Sequence, residues 1–387
     1  MSHTRRLRWK ATVLLLLLLL LVGCTNPGGE AAEAAPDEDA ADQPASDDAD
    51  DPDDADMTEG SEDPADASTD ASQQVARTEG DTCTYDEYAG GVEQVDLAEA
   101  TVGFAQSERE ANPFRIAETE SIKQEAERRG INLITTNAQS DLNKEISDIQ
   151  GMVDQGADAL IISPLNSEGL EPALDYAREN GVPTMTIDRL LTSSQPCEDY
   201  IGWVGSDFVE QGRRAAEAMM RVTGDEGKVV TLLGAPGVNV TTDRNAGFRD
   251  QLEESGSNLE IAAEQTANYV REEGQTVTEQ LLQAHPDLTA IYAHNDEMAL
   301  GAVAALQAAG KQPGDVDIIT IDGTEGAVQG IVDGWISGVI ESNPRFGPLA
   351  FQALEDFYGG EGVPEITIIS DKEYTTENAE AELPNAY

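Results

Sequence analysis

Asp158-Ala159-Leu160-Ile161-Ile162-Ser163-Pro164 holds four apolar residues in a row with no polar alternation, closed by Ser and Pro. A strand with one wet face alternates apolar and polar residues. A strand without alternation is covered on both faces, as in a parallel sheet between two layers of helices. Ala159 to Ile162 therefore predicts an interior strand of a parallel sheet, and the flanking sequence keeps the rhythm. Upstream, Thr101 to Ala105 reads as a strand, Arg115 to Arg129 as a helix stopped by Gly130, Asn132 to Thr135 as a strand, and Leu142 to Gln155 as a helix stopped by Gly156. Downstream, Glu168 to Glu179 reads as a helix closed by Asn180-Gly181, and Pro183 to Ile187 as a strand. Gly or Asn just past a helix accepts the left-handed backbone that ends it.

The rhythm then restarts. Asp207 to Val222, Thr241 to Glu254, Arg271 to Ala284, Glu297 to Ala309 and Thr324 to Asp333 read as helices. Val229 to Leu233, Glu260 to Glu264, Ala290 to Tyr292 and Ile318 to Ile321 read as strands. The fold class is α/β, with two doubly wound parallel-sheet lobes whose strand C-terminal ends face each other across a ligand cleft. One lobe crossing, near Gly205-Ser206, follows from the restart itself.

The N-terminus carries different information. Arg5, Arg6, Arg8 and Lys10 precede an unbroken leucine run from Leu14 to Leu21, then Val22-Gly23-Cys24. A basic region, a short apolar region and small residues before a cut make a secretory signal. Cys at the cut resembles the bacterial lipobox, in which the thiol is acylated. Residues 1–23 read as a lipoprotein signal peptide and Cys24 as the lipidated mature N-terminus, held extracytoplasmically at the membrane. Residues 24–81 read as an acidic disordered tether, densest at Asp47 to Asp54. The stretch has too few large apolar residues to offset the entropy of ordering, and its own charge extends it.

With 75 Asp and Glu against 23 Lys and Arg, the net charge is −52. That excludes nucleic-acid binding through phosphate contacts and predicts a surface adapted to high ionic strength. The two remaining cysteines, Cys83 and Cys197, are either free thiols or a disulfide, and an oxidising compartment favours the disulfide.

The residues after each predicted strand are unusual in kind. Gln106, Ser107, Asn112, Phe114 and Arg115 follow the first. Asp188-Arg189, Asp243-Arg244, His294-Asn295-Asp296 and Asp322-Gly323 follow later ones. Planar polar groups make paired hydrogen bonds to adjacent hydroxyls, and aromatic faces pack on C–H faces of a ring. A sugar wants that mixture. A strand-end Asp taken singly often only caps the next helix, so the case lies in their joint placement.

On these stretches, together with Val204-Gly205-Ser206-Asp207, Thr242 to Phe248 and Tyr292 to Gly301, the chain resembles the periplasmic sugar-binding proteins of ABC importers, of the ribose and galactofuranose type. The resemblance covers nearly all of Val102 to Ser370. It implies the periplasmic binding protein-like I fold, two lobes joined by a three-strand hinge, with residues 98–206 plus 342–370 as the N-terminal lobe and 207–341 plus 371–387 as the C-terminal lobe. The further crossings near Glu341-Ser342 and Ser370-Asp371 rest on it. It assigns Phe114 to ring stacking and Arg115, Asp188, Arg189, Arg244, Asn295 and Asp322 to hydroxyl hydrogen bonds. Ser107 joins the same edge, Tyr269 falls near a second aromatic wall, and Glu341 falls at a late contact on a hinge strand. There are departures: the galactofuranose branch has Trp where this chain has Phe114, and Ser163 replaces an Asn of the ribose-type proteins.

The resemblance implies a monomer that captures a galactofuranose- or ribose-like monosaccharide and delivers it to an ABC permease and ATPase complex, with no cofactor and no metal. A second reading is a lipoprotein that presents its sugar to a membrane receptor kinase. A remote one is a cell-surface glycosidase using Asp188 and Asp322. Against catalysis, no nucleophile elbow, zinc-binding His pair or phosphate loop occurs. An Arg beside each carboxylate would keep both ionised, leaving no protonated acid.

Overall fold

The computed structural model describes residues 74–88 and 92–387. The signal peptide, Cys24 and residues 25–73 of the tether lie outside the described residues. Two sheets organise the chain. The first holds β1 (Val75–Cys83), β2 (Thr101–Gln106), β3 (Asn132–Asn137), β4 (Ala159–Ser163), β5 (Thr184–Ile187), β6 (Gly202–Gly205) and β12 (Val363–Ile369), in the order β1-β12-β6-β5-β4-β2-β3. The second holds β7 (Glu226–Leu233), β8 (Asn258–Thr266), β9 (Ala290–Ala293), β10 (Asp317–Asp322), β11 (Gly338–Glu341) and β13 (Glu373–Thr375), in the order β13-β11-β10-β9-β7-β8. Pairing is parallel except at one edge of each sheet, where β1 runs antiparallel to β12 and β13 to β11.

Helices α1 (Pro113–Arg129), α2 (Leu142–Asp154), α3 (Glu171–Glu179) and α9 (Gly347–Gly359) pack on the first sheet. Helices α4 (Phe208–Thr223), α5 (Asn239–Ser255), α6 (Arg271–Ala284), α7 (Asp296–Ala308) and α8 (Glu325–Val332) pack on the second, and a short α10 (Ala379–Glu382) follows β13. Every residue of β4 is buried. Ile161 joins a core with Phe104, Ile122 and Phe351, whereas Leu160 and Ile162 join a different one with Ile149, Met152 and Leu174. Each large aliphatic side chain so buried contributes roughly 1.5–3 kcal/mol. The missing alternation in the sequence is thus the trace of two cores on opposite faces of one sheet. Among the described residues no helix is long and apolar enough to cross a membrane.

The chain passes between the sheets three times, from β6 to α4, from β11 to α9 and from β12 to β13. The structure differs from the sequence reading in several places, for neither β6 nor the elements after β11 were read as such. Residues Val75 to Asp81, read as the end of the tether, belong to β1, which is held by its ladder to β12. Only Cys83 of that strand is buried, so no apolar pattern announces it. Cys83 is disulfide-bonded to Cys197 in the β5–β6 loop, with the Cα atoms 5.2 Å apart. The helix read from Glu168 starts at Glu171, with Pro172 in its first turn.

Candidate functional site

Strand C-terminal ends of both sheets line one cavity of about 40 Å³, at the junction of two lobes, where small-molecule sites form. From the first sheet's side come Glu108 and Asn112 after β2, Phe114 and Arg115 at the start of α1, and Asp188 and Arg189 after β5. From the second come Val240 and Arg244 of α5, Tyr269 after β8, Asn295 after β9 and Asp322 at the end of β10.

Local structure aims each of these. Asn112 caps α1, accepting from the Phe114 N–H at 3.0 Å, and Pro113 sits in the first turn, where no backbone donor is needed. Phe114 then packs edge-on to Phe346 and Tyr387, with ring centroids 6.3 and 6.2 Å away. The backbone at Asp188 and Tyr269 is left-handed, with φ of 62° and 64°, a conformation that non-glycine residues hold only where their surroundings enforce it. At Asp188 the Trp203 indole does so, donating to the Asp188 carbonyl at 3.1 Å. At Tyr269 the ring lies on Gly234, where a Cβ would sit 2.0 Å from Cζ. Arg244 is placed by close helix packing. A Cβ on Gly212 of α4 would lie 2.2 Å from the Arg244 carbonyl, so α4 and α5 meet backbone to backbone.

The charges interlock. Arg115 is buried and bonds Glu108 at 2.8 Å, Glu118 at 2.9 Å, Asp188 at 2.7 Å and the Ser163 hydroxyl at 3.1 Å. Arg189 bonds Glu108 at 2.9 Å and donates to the Leu165 carbonyl at 2.6 Å. Burial pushes the Glu108 carboxyl up, but the Arg189 and Arg115 charges outweigh it and hold it at about 2. Arg244 donates to the His294 carbonyl at 2.5 Å and lies 3.8 Å from Asp322. Burial raises the Asp322 carboxyl well above the usual range, the Asp296 charge adds to this, and Arg244 offsets only part. The expectation that an adjacent Arg keeps both Asp188 and Asp322 ionised is therefore corrected at Asp322. At Asp188 the adjacent guanidinium is that of Arg115, 2.7 Å away, while Arg189 pairs with Glu108.

Eight of the residues read from sequence line the cavity: Phe114, Arg115, Asp188, Arg189, Arg244, Tyr269, Asn295 and Asp322. Two do not. Ser107 is fully buried at the end of β2, and Glu341 accepts from the Lys372 N–H at 2.8 Å and the Tyr374 hydroxyl at 3.2 Å, at the crossing rather than the cavity. Glu108, Asn112 and Val240 were not among the site residues read from sequence. Asn112 stood in the strand-end cluster. Val240 lies four residues before Arg244, hence on the same helix face. Nothing local separates Glu108 from the acidic residues around it. His294 is buried with its Nδ1 facing the Gly234 N–H at 3.4 Å, and burial lowers its imidazole well below the usual range.

Three guanidinium groups and three carboxyl groups line the cavity; with the Asp322 carboxyl protonated the wall keeps at most a small positive excess, and it suits a neutral ligand rich in donors and acceptors. The chain belongs to the periplasmic binding protein family, whose periplasmic binding protein domain matches residues 102–361. It is 37% identical to the ribose import binding protein of Bacillus subtilis over 68% of this chain and 84% of that one. It is 32% identical to the galactofuranose-binding protein of Escherichia coli over 74% and 91%. Among solved structures, a galactofuranose-binding protein superimposes with a TM-score of 0.71 at 30% identity, covering 74% of this chain and 98% of that one. A Mycobacterium smegmatis protein in complex with β-D-fucofuranose does so with a TM-score of 0.70 at 34% identity, covering 74% and 94%. These relatives are solute-binding proteins, not enzymes.

Proposed function

We propose that the mature chain is a lipid-anchored, monomeric, extracytoplasmic binding protein that captures a neutral monosaccharide, galactofuranose- or ribose-like, and delivers it to an ABC importer. The observation that carries this reading is the composition of the cavity wall. The wall holds three guanidinium groups and three carboxyl groups, together with Phe114 and Tyr269. Vicinal hydroxyls accept from the former and donate to the latter, and a ring C–H face packs on the aromatics. An Asp322 carboxyl held protonated by burial can also donate to a ring or hydroxyl oxygen. The names of the relatives, which specify ribose and galactofuranose, support a sugar. The lobes that close on it are residues 98–206 plus 342–370 and 207–341 plus 371–387, and closure is the signal a permease reads. Cys24 would hold the protein at the membrane, with the tether letting it reach the permease.

Thermal unfolding in high-salt buffer against pentoses and hexoses, offered as pyranosides and furanosides, tests capture. A ligand bound only by the native state raises the midpoint, so at least one sugar shifts it. If none does at millimolar concentration, the protein is not a monosaccharide receptor. Cys24→Ser tests the anchor: the variant should leave the membrane fraction or fail to mature, and fractionation like the wild type would exclude lipidation at that residue.

A further inference from the structure

Helix α4 buries one stripe, made by Phe208, Gln211, Gly212, Ala215, Ala216, Ala218 and Met219. Gln211 is the only amide in it and is 1% exposed, so its polar atoms require internal partners. Its Oε1 accepts from Arg244 Nε at 2.9 Å. Its Nε2 donates to Asp371 Oδ2 at 2.8 Å and to the Glu341 carbonyl at 3.3 Å. The other oxygen of Asp371 accepts from the Ser206 hydroxyl at 3.1 Å and from the Asn343 N–H at 2.9 Å.

These contacts form a line between two places. Ser206 lies on the crossing from β6 to α4, Glu341 and Asn343 on the crossing from β11 to α9, and Asp371 on the crossing from β12 to β13. The Asp371 carboxylate and the Gln211 amide therefore touch all three interlobe segments. At the other end Arg244 lines the cavity, opposite Asp322. We propose that Gln211 is a positioning residue that couples occupancy of the cavity at Arg244 to the arrangement of the three interlobe crossings through Asp371. The proposal rests on the reading that a neutral sugar binds at Arg244.

The amide is chemically specified. One side faces a cation and needs an acceptor, and the other faces a carboxylate and needs a donor. Turning it over would set its NH₂ against the buried Arg244 and its oxygen against the part-buried Asp371, where an unmatched charge is costly. A rotation of the lobes that shifts Asp371 must thus move Gln211, and with it the guanidinium of Arg244. A ligand that fixes Arg244 biases the crossings in return, as reciprocal coupling requires.

Three variants of the full chain test this with D-galactose, L-arabinose and D-ribose as probes, using whichever the wild type binds. Gln211→Met keeps the volume and removes all three hydrogen bonds of the side chain, and should weaken binding on the order of tenfold or more. Gln211→Glu sets two carboxylates together and should bind weakly at neutral pH and recover on acidification, when the new carboxyl can donate. The double change Gln211→Glu with Asp371→Asn exchanges donor and acceptor across that bond, keeps the acceptor for Arg244 and loses only the longer contact to the Glu341 carbonyl, and should restore most of the affinity at neutral pH. A generic packing role predicts no such rescue. A second arm needs no ligand. Spin labels at the exposed positions Glu179 and Glu253 report lobe separation, and Gln211→Met should broaden its distribution in the ligand-free protein. Wild-type affinity and separation in Gln211→Met, or no rescue in the double variant, would overturn the proposal. If the wild type binds none of the probes, the sugar reading fails for them, and the separation arm decides the coupling by itself.

Discussion

Asn239, in the first turn of α5, accepts a hydrogen bond at 3.1 Å from the Leu190 N–H, so a residue of the second sheet's helices holds the loop after β5 of the first. Ser167 completes the contact. Its hydroxyl accepts from the Asn239 N–H at 2.8 Å, and its own N–H donates to the Gly237 carbonyl at 3.2 Å. The lobes thus touch directly beside the cavity, next to Val240 and Arg189. Such contacts favour closure before any ligand arrives. Asn239→Ala removes the side-chain share, about 0.5–1.5 kcal/mol per hydrogen bond. The expected result is a several-fold loss of ligand affinity and a larger ligand-free radius of gyration, read by calorimetry and small-angle scattering. Unchanged values of both would show the contact to be energetically neutral.

Arg115 is the counterion of a buried acidic cluster. Glu118 is fully buried and Asp188 nearly so, and both lean on the same guanidinium. Arg115→Ala should cost roughly 3–5 kcal/mol of stability by stranding them, together with ligand binding. Arg115→Lys should recover only part, because an ammonium cannot reproduce the fork that reaches Glu108, Glu118 and Asp188 at once. Urea unfolding measures this, and a wild-type midpoint in Arg115→Ala would mean the carboxyls are neutral without it.

The Cys83–Cys197 bond spans a sequence separation of 114 and ties β1 to the β5–β6 loop. Closing a loop of that size restricts the unfolded chain by roughly 4–5 kcal/mol. Cys83→Ser with Cys197→Ser should lower stability by that order and free β1 for early hydrogen exchange. Two reactive thiols in the unreduced, unfolded mature protein would contradict the bond.

Stability should rise as pH falls from 8 towards 5. Burial raises the carboxyl of Glu145 to about 8 and those of Asp296 and Asp371 to about 6. Each binds a proton more tightly folded than unfolded. The stability each confers is present below the unfolded value, near 4, and is lost as pH climbs through the folded value. Glu108, held at about 2, has the opposite sign: its contribution is present above the unfolded value and is lost as pH falls below 4. A maximum between pH 4 and 6 follows, and relief of self-repulsion in a chain of net charge −52 acts in the same direction. Denaturant midpoints across pH 3 to 9 check this, and a monotonic rise with pH would refute it.

The sheets were legible because their central strands are apolar or nearly so. Ala159 to Ile162, Ala290 to Tyr292 and Ile318 to Ile321, broken only by Thr320, alternate with helices most of which end at Gly or Asn. β1 was not legible, because a ladder to β12 and one disulfide hold it rather than buried side chains. β6, Gly202-Trp203-Val204-Gly205, is short and bounded by glycines, so its sequence reads as a loop. Most of the site was legible for one reason. In a parallel sheet the residues after each strand gather at one edge, so Asp188, Asn295 and Asp322 point to the cavity by their order alone.

Their partners were not legible. Pairing Arg115 with Asp188, and Arg189 with Glu108, depends on which β-strand ends stand side by side and how far each guanidinium reaches. The same holds for Gln211 and Asp371, which are 160 residues apart in sequence and 2.8 Å apart in space. The sequence by itself determined the alternation of strands and helices, the edge at which ligand chemistry collects and the acidic character of the chain, since periodicity, position after a strand and composition are properties of order. Only the tertiary structure decided which charges neutralise each other, which carboxyls stay protonated and how the cavity is joined to the crossings. Those depend on distance and on exclusion of water, and both arise only when the two sheets have packed.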